Sequence, residues 1–83
     1  MGQIEIQDIY DREYLRGVIE TVLNGSYEKK IKNIVGYIQK NIKDLDSNEK
    51  IQITQIIRFI LNEMIAEGKV RKGEKGYILW KYK

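Results

Sequence analysis

The 83-residue chain has no cysteine, no histidine and no proline. Without cysteine there is no disulfide, no thiolate zinc site and no thiol nucleophile. Without histidine the commonest general acid–base is missing. No apolar run approaches the ~18 residues of a membrane-spanning helix. The opening Met1-Gly2-Gln3-Ile4-Glu5-Ile6 lacks the basic stretch and apolar core of a secretion signal. Ile6 also stands where a myristoylation pattern requires Ser or Thr. No low-complexity linker or internal repeat divides the chain. These absences predict a cytoplasmic, non-enzymatic protein with no metal and no cofactor.

What is present is enough to fold. Hydrophobic residues make up 42% and charged residues 33%, a globular balance rather than a disordered one. The length suits one small domain, 1–83, with a single core. Net charge is +3, unevenly spread. Residues 1–28 hold two basic and six acidic side chains, whereas 29–83 hold thirteen basic and six acidic. A basic C-terminal part points to a polyanion partner. A composition rich in lysine (eleven) and isoleucine (fifteen) explains the same surplus without one.

Apolar spacing predicts three helices and a hairpin. Asp8 caps a helix over 8–24, with Ile9, Leu15, Val18, Ile19, Val22 and Leu23 on one face. Asn24-Gly25 stops it. Ser26 caps a second helix, 27–43, with Tyr27, Ile31, Ile34, Val35, Ile38 and Ile42 in a stripe. Asp44–Glu49 reads as a polar loop. Lys50-Ile51-Gln52-Ile53 alternates, as a short third strand at 50–53 would. A third helix, 54–67, carries Ile56, Ile57, Ile60, Leu61, Met64 and Ile65, and Gly68 ends it. Two β-prone runs around Gly73-Glu74-Lys75-Gly76 form a hairpin over 69–82. A lone hairpin is marginal in water, so this one must pack on the helices. The fold class is α+β.

Within 53–80 the carrying residues are Ile57, Ile60, Leu61 and Met64, then Ala66-Glu67-Gly68-Lys69-Val70, Arg71-Lys72, and Gly76-Tyr77-Ile78-Leu79-Trp80. This stretch resembles the winged helix-turn-helix superfamily of DNA-binding proteins, in particular the small transcription regulators of archaea and their viruses. The resemblance implies a recognition helix at 54–67, a wing hairpin at 69–82, and sequence-specific binding of double-stranded DNA. One such module offers a small interface and few base contacts, so a homodimer is expected, associated with the nucleoid. The family's turn is about four residues, whereas 44–53 spans about ten. Either the turn is expanded, or the helix at 27–43 stands for the family's first helix and 44–50 for a reduced second.

On the third helix, Thr54, Gln55, Arg58 and Asn62 lie opposite the apolar residues. Arginine can bind guanine in bidentate fashion, and glutamine or asparagine can bind adenine. On the wing, Arg71, Lys72 and Lys75 gather near the tip. They suit phosphate contact, or equally a charged edge that discourages strand association. Ser26, Lys29 and Lys30 open the second helix, where a helix N-terminus and cations make a phosphate site. Phe59, Trp80 and Tyr82 form a dimer or partner surface. Phe59 needs cover from the first helix or from a second copy, with a thymine methyl as its remaining use. The acidic helix 8–24 is the expected dimer surface.

Asp44-Leu45-Asp46-Ser47-Asn48 begins like a calcium loop, but the sixth position is Glu49 and the twelfth Gln55. Gly73-x-x-Gly76 lacks the Lys-Ser/Thr of a phosphate loop. The rival to DNA binding is a winged-helix module that binds protein within a larger nucleic-acid-processing or cellular complex. The acidic N-terminal half, the single arginine on the reading face and Phe59 favour it.

Overall fold

The computed structural model describes residues 6–25, 27–42 and 44–80. A 3-10 turn, Ile6–Tyr10, leads into α1 (Arg12–Leu23), followed by α2 (Ile31–Lys40) and α3 (Ser47–Ala66). Strands β1 (Val70–Lys72) and β2 (Tyr77–Leu79) then pair antiparallel, Val70 opposite Leu79 and Lys72 opposite Tyr77. The fold is α+β, three helices followed by a hairpin. Among the described residues, no helix is long and apolar enough to cross a membrane.

The first helix starts later than the sequence suggests. Asp11, not Asp8, is its cap, and its carboxylate accepts the Tyr14 N–H at 3.2 Å. The preceding turn still buries Ile9 fully. Leu15, Val18, Ile19 and Leu23 form the inner face of α1.

The second helix is shorter than the expected 27–43. It begins at Ile31, with Lys30 at the N-cap and no side-chain cap. Ser26, the expected cap, lies outside the described residues. The cause of the late start is tertiary. Lys29 is extended and pairs with β2: its N–H donates to Tyr77 O (2.9 Å) and its carbonyl accepts the Tyr77 N–H (2.8 Å). The sheet therefore gains its third member at Lys29 and not at 50–53.

Residues 50–53 are helical. Asp46 caps α3 by accepting the Glu49 N–H at 2.8 Å, while the Glu49 carboxylate accepts the Asp46 N–H at 3.1 Å, a reciprocal capping box. The helix thus runs from Ser47 rather than Thr54, and the connection from α2 is six residues, 41–46, rather than about ten. Asp44 takes a left-handed conformation there (φ 57°), which a short polar side chain tolerates. At the other end Gly68 (φ 78°) closes α3: its N–H donates to Ile65 O and the Lys69 N–H to Met64 O. That pair of bonds is a Schellman motif.

Ile53, Ile57, Ile60, Leu61 and Met64 of α3 meet the inner faces of α1 and α2. Val70, Tyr77 and Leu79 close the core from the hairpin side. Burying each large apolar side chain contributes about 1.5–3 kcal/mol. Outside the core, Arg12 and Arg16 of α1 reach the carboxylates of Glu63 and Glu67 on α3. The hydrogen bond from Arg16 is the main reason the Glu67 carboxyl is held below the usual carboxylate range.

Candidate nucleic-acid interface

Three segments distant in sequence meet at one groove of about 390 Å³. From the start of α2 come Lys30, Ile31 and Lys32; from α3, Arg58; from the hairpin, residues Lys72–Tyr77. Five cations therefore line the groove, against the single carboxylate of Glu74.

Each element positions its charge for an identifiable reason. The bridge at Lys29 fixes the chain beside β2, so Lys30 and Lys32 emerge next to the hairpin. Lys72 Nζ stands 5.8 Å from the centre of the Tyr77 ring, a cation–π distance that orients the ammonium over the groove wall. The hairpin turn closes by a bond from the Gly73 N–H to Gly76 O (2.7 Å). It is further held by Glu28, whose Oε1 accepts the Lys75 N–H at 2.8 Å. Glycine at 73 leaves room for that carboxylate, since a Cβ there would collide with it. Gly76 has φ +151°, and a Cβ on it would run into the Lys29 carbonyl.

The α2 N-terminus carries no side-chain cap and has cations at its cap and second position. Cations there oppose the helix dipole, at about 0.3–1 kcal/mol each when exposed. An anion bound at this end would reverse that sign.

The site residues expected from the sequence divide among several places. Arg58, Lys72, Lys75 and Lys30 share the groove. Gln55 and Asn62 are exposed on the outer ridge of α3. Gln55 borders a second groove of about 300 Å³, with Ile9, Tyr10, Arg12 and Phe59 among its walls. Thr54 is half-buried, and its hydroxyl donates to Lys50 O at 2.9 Å. Arg71 is exposed and lies on the opposite face of β1 from Lys72, because successive strand residues alternate. Lys29 is half-buried, tied by its backbone to Tyr77. Phe59 is 55% exposed, with the Arg12 guanidinium 5.6 Å from its ring centre. Trp80, 56% exposed, lines a different groove with Glu20, Lys69 and Leu79. Tyr82 and Ser26 lie outside the described residues.

Glu28 and Ile51 are not legible as site residues, and Lys32 is legible only as one of the lysines that open the second helix. Lys32 sits in a lysine-rich stretch in which no local feature singles it out. Glu28 acts 47 residues away in sequence, beyond any local signal. Ile51, 58% exposed on α3, follows once the helical period is extended back from Gln55. Among the described residues no cluster of carboxylates could hold a metal ion.

Comparison with protein-family models, with curated proteins and with solved structures finds no match.

Proposed function

We propose that this chain is a winged-helix module that binds double-stranded DNA, with α3 as the recognition helix and the β1–β2 hairpin as the wing. The observation that carries the reading is the groove in which Lys30, Lys32, Arg58, Lys72 and Lys75 converge from three segments. A duplex presents phosphates on both sides of a groove wide enough for a helix. Cations that converge from α2, α3 and the hairpin on one groove suit contact with such phosphates. The order of elements supports the fold assignment: helix, bridging strand residue, helix, helix, and a two-stranded hairpin.

Each part has a task in this reading. Lys30, Lys32, Lys72 and Lys75 neutralise backbone phosphates and set the register. Arg58, Gln55 and Asn62 face base edges. One such module offers a small interface, so the reading includes a homodimer, a role in transcription regulation and a place on the nucleoid. A second reading, a winged-helix module that binds protein, is favoured by the apolar groove around Tyr10 and Phe59.

Binding measurements on Arg58→Ala and Lys72→Ala separate these. Under DNA recognition, Arg58→Ala costs about 1–3 kcal/mol at one base position, and Lys72→Ala weakens all sequences alike. Unchanged duplex affinity in both variants refutes it in favour of the protein-binding module.

A further inference from the structure

The buried residues of α3 are Ile53, Ile57, Ile60, Leu61 and Met64. At about 100° per residue, their mean direction lies opposite Gln55. Gln55 is therefore the outermost residue of the helix, with Ile51 and Phe59 about 40° to either side of it. Ile51 is 58% exposed and Phe59 55%. Two large apolar side chains astride a glutamine form an apolar ridge with a polar centre. On the Ile51 side, α3 also presents Arg58, which opens into the groove of lysines.

Charge and apolar surface together select the occupant. The five cations of the groove beside Arg58, on one side of the ridge, suit a polyanion. The ridge requires apolar groups on the floor of that polyanion's groove, next to a partner for an amide. In the major groove of DNA, thymine offers its C5 methyl and adenine offers N6 and N7 to glutamine. The deep, narrow major groove of double-stranded RNA does not admit such side chains.

We infer that α3 reads an A·T-rich major-groove site, in which Gln55 pairs with adenine and Ile51 and Phe59 cover thymine methyls on either side. This rests on the DNA-binding function proposed above. Ile51 and Phe59 are eight residues apart, about 12 Å along the helix, which is three to four base steps at ~3.4 Å each. The two methyls thus lie within about four base pairs of each other. Both residues are exposed, so their truncation leaves the core intact.

The test uses the full chain and two duplex pools, each randomised in A·T pairs only. One contains thymine, and the other contains deoxyuridine in its place, which removes only the methyl. Fluorescence anisotropy gives the affinity of each at several salt concentrations. The expected result is tighter binding to the thymine pool, about fourfold per covered methyl and about tenfold or more for two. The preference shrinks in Ile51→Ala and in Phe59→Ala. Lys72→Ala weakens both pools equally and keeps the ratio. Equal affinity for the two pools, with salt-dependent binding intact, overturns the inference and leaves the DNA-binding reading standing. A preference that survives both truncations overturns it as well. Absence of salt-dependent binding to either pool overturns the DNA-binding reading and the inference with it.

Discussion

Lys29 and Tyr77 exchange both of their backbone hydrogen bonds, at 2.9 and 2.8 Å, although 48 positions separate them in the sequence. This one pairing clamps the entry to α2 against β2. It brings the lysines at the start of α2 beside those of the hairpin, so the basic groove depends on it.

Gly76→Ala attacks the clamp directly. The new Cβ meets the Lys29 carbonyl, a backbone group that cannot swing aside. The residue also holds φ +151°, where L side chains are strained. The expected loss is about 2 kcal/mol or more, read as a lowered urea midpoint. Duplex affinity should fall further than stability alone explains, because the two sets of lysines separate.

The ion pair between Arg16 and Glu67 makes stability depend on pH. The hydrogen bond from Arg16 lowers the Glu67 carboxyl and raises the guanidinium. A lowered carboxyl stabilises the fold fully above the usual carboxylate range, and that contribution is lost as pH falls through the lowered value. Glu67 is exposed, so the effect is screened. Chemical denaturation at a series of acidic pH values should show wild type losing stability relative to Arg16→Met as pH drops. Parallel curves for the two proteins would contradict the pairing.

Ile51 and Ile53 report whether the start of α3 is helical. Ile53 is fully buried and Ile51 is 58% exposed. Ile53→Ala should cost about 2–5 kcal/mol, and Ile51→Ala no more than about 0.5 kcal/mol. Denaturant titrations of both variants measure this difference. Similar costs for the two would contradict the helical register.

The same two residues show why the sequence misleads there. Lys50-Ile51-Gln52-Ile53 alternates like a strand, yet Ile53 also lies four residues before Ile57 and seven before Ile60, the period of the helix it joins. Asp46-Ser47-Asn48-Glu49 is a legible capping box, and it marks the helix start seven residues earlier than Thr54. Most of each helix's core, the stop at Gly68 and the hairpin turn are legible because each is local in sequence, but Tyr27, expected in the second helix's stripe, precedes α2 and is 77% exposed. The Lys29–Tyr77 bridge and the hold of Glu28 on Lys75 are not legible, since both join segments more than 45 residues apart. That non-local pairing also decided the late start of α2. For the site, Arg58, Lys30, Lys72 and Lys75 were nameable from charge and spacing. Their shared groove, and the opposite facing of Arg71, depended on how the hairpin sits against α2.

The most direct test of the DNA-binding proposal is the affinity of the full chain for duplex DNA as salt is varied. With up to four lysines neutralising phosphates, a plot of log K against log salt should fall with a slope of about −2 to −4. The slope should become shallower by about one in Lys72→Ala. A flat plot, or a slope that Lys72→Ala leaves unchanged, would contradict the assignment of this groove to DNA.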